Sequence, residues 1–580
     1  MRVSRRPFLL ATTGALALTL AGGLALAAGR PAGAPTAAPA GAPTTADAPL
    51  PAPVSPLTPI VVGPADPAAT VSLTLALRGR DPDGLARAVA ALGGQPATGS
   101  SVVTPAAFGD RYGLPLADED QLVATLTADG LTVTARVPQR TTLGVSGRVA
   151  DVERVFGVTL EQLQDPATGA GYIAAVTTPA VPAAFAASVT GILGLDRSRA
   201  ISAIRLEDAP EPPGRGLVPA DLALAYGYDR MWANGFQGQG ENVAILQLGK
   251  DTDEDLAVFD QAFDIQGPPP ARIPVGDGVQ NAPPDFASEA SLDTQVIRAV
   301  APKAQILVYG FPTTTTFAQA MDAIVADGRA KIVSLSYGQC DVNLPDIAEI
   351  ASQPSFAAAA LAGVTLFAAS GDWGAFTCHV FDPTNHEPST FWPACEDNLV
   401  SVGGTFLETR QDGSYLRETG WESYLTTGGG GGGLSQTAPR PAWQTGPGVE
   451  NGTSNGNRQC PDVAAVADED SGYVIFYTDP STGEAGWHQM GGTSAAAPLW
   501  AGMATLMQQE AHQEGLGDYG FLAPRLYRVW QNEPGVFHDV VRGGNLLEDA
   551  TEGWDYSTGI GTPIAADLSQ ALMRDLQANP

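Results

Sequence analysis

One serine of this chain stands where a nucleophile would be made. Ser494 lies in Gly491-Gly492-Thr493-Ser494-Ala495-Ala496-Ala497-Pro498, a glycine-rich turn opening the apolar run Leu499-Trp500-Ala501-Gly502-Met503-Ala504. A hydroxyl at a helix start faces the positive end of the helix dipole, but it attacks nothing until a base takes its proton. The five histidines, His379, His386, His488, His512 and His538, read as loop or surface imidazoles, and none follows the His-Gly-Thr pattern of subtilisin-type enzymes. Carboxylates offer more. Phe286 to Ile297 reads as a helix carrying Glu289 and Asp293 at i and i+4, so both share one face. Such pairs are usually solvated. Here the apolar run Ile306-Leu307-Val308-Tyr309 follows closely, which predicts burial, and carboxyls forced together share a proton and titrate as a pair. A third acid, Asp372, ends the strand-like run Val364 to Ala369 in the turn Ser370-Gly371-Asp372. Ligands gather at such strand ends, although a turn or helix-cap aspartate has the same appearance.

Elements must hold these groups together. The apolar runs Val243 to Leu248, Ile306 to Tyr309, Ile332 to Leu335 and Val364 to Ala369 alternate with helical patterns, which predicts an α/β fold with a doubly wound parallel sheet. Residues 206–580 form this catalytic part, long enough for a large core. Residues 67–205 form a smaller domain with its own strand and helix texture, beginning at Val71-Ser72-Leu73-Thr74-Leu75-Ala76-Leu77. Residues 28–66, dominated by Ala, Pro and Thr, read as a disordered tether. Residues 1–27 read as a twin-arginine secretory signal, with Arg5-Arg6 before an apolar run and a cleavage site after Ala25-Leu26-Ala27; an uncleaved anchor is the alternative. A secreted protein is expected. With 62 acidic against 31 basic residues the net charge is -31, which disfavours nucleic acid and anionic membranes as partners. Cys340, Cys378, Cys395 and Cys460 are an even set in an exported chain, which favours disulfides, and no Cys-x-x-Cys spacing points to zinc.

With Glu289, Asp293, Asp372 and Ser494 in that order, the chain resembles the sedolisin family of serine-carboxyl peptidases, its kumamolisin branch in particular, from about residue 70 onward. The resemblance implies a subtilisin-like catalytic domain preceded by an α+β, ferredoxin-like activation prodomain that inhibits until it is removed. It makes Ser494 the nucleophile, Glu289 the general base, Asp293 the residue that orients it, and Asp372 the acid lining the oxyanion hole. Ser336-Tyr337-Gly338 and the run Gly428 to Gly433 would be the edges that pair with an extended substrate. A flexible linker is the other reading of six glycines. Family members usually carry Trp at Tyr337 and often Glu at Gln247, which leaves the outer proton network open. Asp539, Val540, Thr551, Gly553 and Asp555 resemble the family's site for one Ca2+ ion, two carboxylates and three carbonyls suiting a hard cation. Cys340 with Cys378 resembles a family disulfide, leaving Cys395 with Cys460.

The function this implies is a secreted serine endopeptidase, active in acid because Asp372 must be protonated to donate to an oxyanion. It would be a monomer acting on proteins or peptides, with its own prodomain as intramolecular partner. The precursor would cut itself on acidification, as carboxyl protonation loosens the prodomain, within the exposed stretch Arg205 to Arg215. Two alternatives stay open. Gly452-Thr453-Ser454-Asn455-Gly456 matches the nucleophile elbow of an α/β-hydrolase esterase, though no apolar strand precedes it, and a catalytically inactive relative would bind peptides only.

Overall fold

In the computed structural model the described residues are 59–579, except 95–101, 165–170, 177–178, 196–200, 203–204, 208–215, 277, 280–285, 313–315, 343–345, 382–383 and 424–427. The expected signal, most of the tether and most of the stretch expected to be cut lie outside the described residues.

The N-terminal part has the ferredoxin-like arrangement. Strands Thr70–Leu77, Thr132–Arg136, Thr142–Arg148 and Val189–Leu193 form one antiparallel sheet in which the first strand lies between the third and fourth. Helices Leu116–Ala128 and Val149–Phe156 connect them, burying Leu122, Leu126, Val152 and Phe156 with Leu73, Leu75 and Val145 of the sheet. Residues 60–64, read from composition as part of the tether, are a structured element. Ile60–Pro64 is a strand paired with Leu160–Gln164, because Ile60-Val61-Val62 is a β-branched run that the surrounding Pro and Ala obscure.

The catalytic part is built on β1 (Asn242–Gln247), α1 (Asp253–Ala262), β2 (Ala271–Pro274), α2 (Ala287–Val300), β3 (Gln305–Gly310), α3 (Phe317–Asp327), β4 (Ile332–Leu335), β5 (Tyr337–Cys340), β6 (Thr365–Ala369), β7 (Val400–Thr409), β8 (Tyr415–Gly420), β9 (Val463–Val466), β10 (Tyr473–Thr478), β11 (Ala485–Gly491) and α4 (Thr493–Gln513). The sheet order is β2-β3-β1-β4-β6-β7-β8, with β9 also on β7. The ladders are parallel except β7 with β8. Runs such as Ile332-Val333-Ser334-Leu335 are buried along their length, as both faces of a parallel sheet demand. The chain reverses direction of winding at β1, so a crevice opens at the carboxyl ends of the central strands. Helices α2 and α4 pack together over the sheet through Leu292, Val296, Val300, Leu499 and Met503. Gly502 is required there, since a Cβ would sit 2.7 Å from Val300. Cys340 is joined to Cys378 and Cys395 to Cys460, with Cα separations of 4.8 and 5.8 Å.

The described residues of the two parts lie in one compact unit. Thr74 Oγ1 donates to Gln319 Oε1 at 2.7 Å, and the hydroxyls of Thr141 and Thr142 donate to Asp322 at 2.7 and 2.6 Å, so α3 is the polar half of their contact.

Candidate active site

Glu289 and Asp293 lie on α2, as their spacing predicted, and both are fully buried, as the apolar run after the helix suggested. Burial drives the Asp293 carboxyl well above the usual carboxylate range, against the lowering effect of the Ser336 hydrogen bond, and the negative charge of Asp251 pushes it further up. Ser494 is the second residue of α4, which starts after Gly492 at φ 111. That left-handed turn needs a glycine. It swings the chain from β11 into the helix and leaves Ser494 at the helix's positive end, buried at the mouth of the crevice.

The three chain segments meet through Ser336. This residue follows β4 and was expected only as part of a substrate edge. Its hydroxyl donates to Asp293 Oδ1 at 2.6 Å and lies 3.2 Å from the carbonyl oxygen of Ser494, while the Ser494 hydroxyl donates to the carbonyl of Ser336 at 3.2 Å. One serine thus ties the carboxyl helix to the candidate nucleophile. Asp372, just beyond β6, is held by Thr493: its Oδ1 accepts the Thr493 backbone N–H and hydroxyl, each at 2.8 Å. The same hydroxyl accepts the Gly371 N–H at 3.0 Å. Asp372 therefore travels with the residue before Ser494. Neither Ser336 nor Thr493 could be assigned this work from sequence; the only signal was their adjacency to residues that could.

The glycine run is packed backbone. Gly428 to Gly432 are buried; Gly429 N–H bonds the Asp372 carbonyl at 3.0 Å and Gly431 N–H the Gly371 carbonyl at 2.7 Å. A Cβ on Gly431 would collide with the Ser370 carbonyl. The linker reading fails for this reason. Tyr337 is buried with its ring edge against Phe286, and burial and the charges of Glu289 and Asp293 raise its phenol well above the usual range. Gln247 donates to Asp251 at 3.2 Å and to the Gly249 carbonyl at 3.3 Å. The histidines have other work: His379 contacts the Asn385 carbonyl, His512 lies between Glu241 and Asp518, His538 stacks on Tyr415 and His488 packs on Tyr477. The esterase-like motif is a surface turn in which Ser454 donates to Gln459 and Val449, so it is no strand-to-helix elbow.

Two strands of the segment joining the N-terminal and catalytic parts cross this site. Ile201–Ser202 pairs antiparallel with Tyr337 and Gly338 of β5, and Arg205–Glu207 pairs antiparallel with Gln489 to Gly491 of β11. The protein's own chain lies along both edges that flank Ser494.

At the C-terminal loop, Asp539 accepts the Gly553 N–H at 3.1 Å and Asp555 accepts the Thr551 N–H at 3.0 Å, so both carboxylates converge on one segment. Burial raises Asp539 and pushes Asp555 up to about 7. A buried Asp555 and a more exposed Asp539, both bonded to the Thr551–Gly553 segment, fit a hard cation, whose charge would offset the burial of Asp555. Cys340, Asp341 and Cys378 also cluster, but the disulfide occupies both sulfurs.

Residues 60–198 match the activation domain of pro-kumamolisin, and residues 284–525 match the subtilase family. Kumamolisin of Bacillus sp. (strain MN-32) is 33% identical over 506 residues, 82% of this chain and 86% of the relative. The chain belongs to the sedolisin family of serine-carboxyl peptidases. Pseudomonas sedolisin, solved with two molecules of pseudo-iodotyrostatin, superposes with a TM-score of 0.55 at 29% identity, covering 63% of this chain and all of that one. Tripeptidyl-peptidase 1 of Canis lupus familiaris is 28% identical over 431 residues, 68% of this chain and 72% of the relative. This sedolisin-family chain is a serine-type peptidase made as a precursor with an activation domain.

Proposed function

We propose that the chain is a secreted endopeptidase that acts in acid, matures by cutting itself, and hydrolyses peptide bonds through an acyl-enzyme on Ser494. The observation that carries this reading is the linker, which runs along β5 before the nucleophile and along β11 after it. A cleft that accepts chain on both sides of Ser494 is open at both ends, which supports internal cleavage over removal of tripeptides from a free N-terminus. The first cut falls among the bonds joining Ser202 to Arg205, immediately upstream of the stretch Arg205 to Arg215 expected from composition.

Glu289 takes the Ser494 proton and returns it to the leaving amine. For this the hydroxyl turns from the Ser336 carbonyl toward α2, a rearrangement common between resting and reacting sites. Asp293 orients Glu289 and is itself fixed by Ser336. Asp372 holds the oxyanion. Its Oδ1 already accepts two hydrogen bonds from Thr493, so the acid carries its proton on Oδ2, and losing that donor costs about 3 to 4 kcal/mol of transition-state stabilisation. An Asp372 that must stay neutral calls for acid. Asp539 and Asp555, with the carbonyls of Val540, Thr551 and Gly553, would hold one Ca2+, which supplies stability to the loop and no step of the reaction. Two disulfides accord with an oxidising destination. Among the described residues no helix is long and apolar enough to cross a membrane.

The test is digestion of one peptide, with its N-terminus blocked and with it free, from pH 3 to 8 by the enzyme matured from full-length precursor. Internal cleavage confined to acid, abolished by Ser494→Ala, is expected. Release of tripeptides from free N-termini alone, or a neutral optimum, would refute the reading.

A further inference from the structure

A third carboxylate, from a different element, is bonded to Thr294, the residue that follows Asp293 on α2. Asp251 lies between β1 and α1, only 4% exposed. It accepts four hydrogen bonds: Gln247 Nε2 at 3.2 Å, Thr294 Oγ1 at 3.1 Å, and the Arg272 fork through Nε at 3.2 Å and Nη2 at 3.0 Å. Thr294 follows Asp293 on α2, so this bond also fixes the helix at the level of the pair. Arg272, from the edge strand β2, is one-third exposed and reaches Asp253 with its remaining nitrogen at 2.6 Å. A buried carboxylate beside two others is a costly arrangement unless something holds it, and a guanidinium fork does so firmly.

We propose that Asp251, clamped by Arg272, is a positioning residue that sets the pH window in which the Glu289–Asp293 pair works. This rests on the reading of that pair as catalytic. The groups facing Asp293 are Glu289 on its own helix, Asp251 from the β1–α1 turn and Tyr337 from β5, with Arg272 of β2 and Asp253 of α1 behind Asp251. The pair works with one proton between its two carboxyls. A further negative charge makes every proton harder to remove, so it moves both limbs of the pH profile upward, and Arg272 limits the displacement by partly cancelling that charge. Burial alone also raises Asp293, but it cannot be adjusted from the surface. The Asp251–Arg272 pair can be, because its cationic end reaches solvent.

Enzyme matured from full-length precursor, assayed as kcat/KM against pH on an internally quenched peptide, tests this. Asp251→Asn keeps the shape and removes the charge; both limbs should move down by roughly one pH unit or more, since a like charge about 12 Å away already produces about one unit at an effective dielectric near 20. Arg272→Gln removes the cancelling charge, so the limbs should move up. A merely structural role would lower the plateau and leave the limbs in place. Limbs of both variants within about 0.3 unit of wild type, well under the electrostatic expectation, would overturn the proposal. If Asp251→Asn does not fold, the Arg272→Gln profile decides alone, and anything but an upward move refutes it. Glu289→Gln separates the two readings: if it is inactive while the limbs stay fixed, only the role of Asp251 falls; if it is fully active, the catalytic reading falls too.

Discussion

Neutralising Asp322 should tighten the grip of the prodomain, and only near neutral pH. The carboxyl is fully enclosed between α3 and the N-terminal part, its Oδ2 accepting both Thr141 and Thr142 hydroxyls. Burial outweighs these bonds and raises its pKa to about 6. Once the prodomain leaves, the side chain meets water and returns toward about 3.9. The docked state therefore binds the proton more tightly. Its contribution to docking is fully present below about pH 4 and is lost as pH rises through 6. At pH 7 the ionised group opposes docking by about 2 pK units, or roughly 3 kcal/mol. Acid thus strengthens this contact, opposite to the general expectation that protonation loosens the prodomain, so release in acid is driven by other groups. Asp322→Asn imitates the protonated form: its oxygen can accept both threonine hydroxyls, and its amide can meet the Ser355 hydroxyl, which also neighbours the carboxyl. In a Ser494→Ala precursor, hydrogen-exchange protection of the amides in Thr142–Arg148 should rise by up to about a hundredfold at pH 7, and the gain should vanish near pH 4. Equal or lower protection at pH 7, or a gain that persists in acid, would refute the reasoning.

Ser494→Ala should lose at least about a thousandfold in turnover while still folding, and its purified precursor should stay uncut in acid; Glu289→Gln and Asp293→Asn should add little to that loss when combined with it. Mass spectrometry of the first product of acidified wild-type precursor should find a new N-terminus at residue 203, 204 or 205, and an initial cut elsewhere would remove the linker as a substrate mimic. Chelation should lower the thermal midpoint of the mature enzyme, by about 2.7 kcal/mol of lost stability if calcium had stood a hundredfold above its dissociation constant. Asp555→Ala should start low and ignore both chelator and calcium; if wild type and variant melt together throughout, the loop binds no stabilising ion.

The fold class was legible because a parallel sheet writes long apolar runs into the sequence, and β1, β3, β4 and β6 lie where those runs are. The carboxyl pair was legible because helical periodicity is local. What joins the groups was not. Ser336 and Asp293 are 43 residues apart, and the Ser336 carbonyl and Ser494 are 158 apart; such contacts follow from strand order, which short motifs do not specify. Arg272 and Asp251 are 21 residues apart and gave no signal, since each alone is an ordinary charge next to a turn. The glycine run was ambiguous for a related reason. Glycine permits both flexibility and close approach, and only the neighbouring backbone of Ser370 and Gly371 decides between them.

The linker's path from Ile201 to Glu207 has a meaning for what the mature enzyme can digest. Its departure leaves two short strand edges facing an empty trench, and an edge recognises free, extended backbone before it recognises any side chain. A helix or a paired strand cannot enter. A folded protein becomes food only when a stretch of comparable length opens, so its rate of destruction is governed by its own local unfolding free energy. Acid, by loosening other proteins, would then do half of the enzyme's selecting for it.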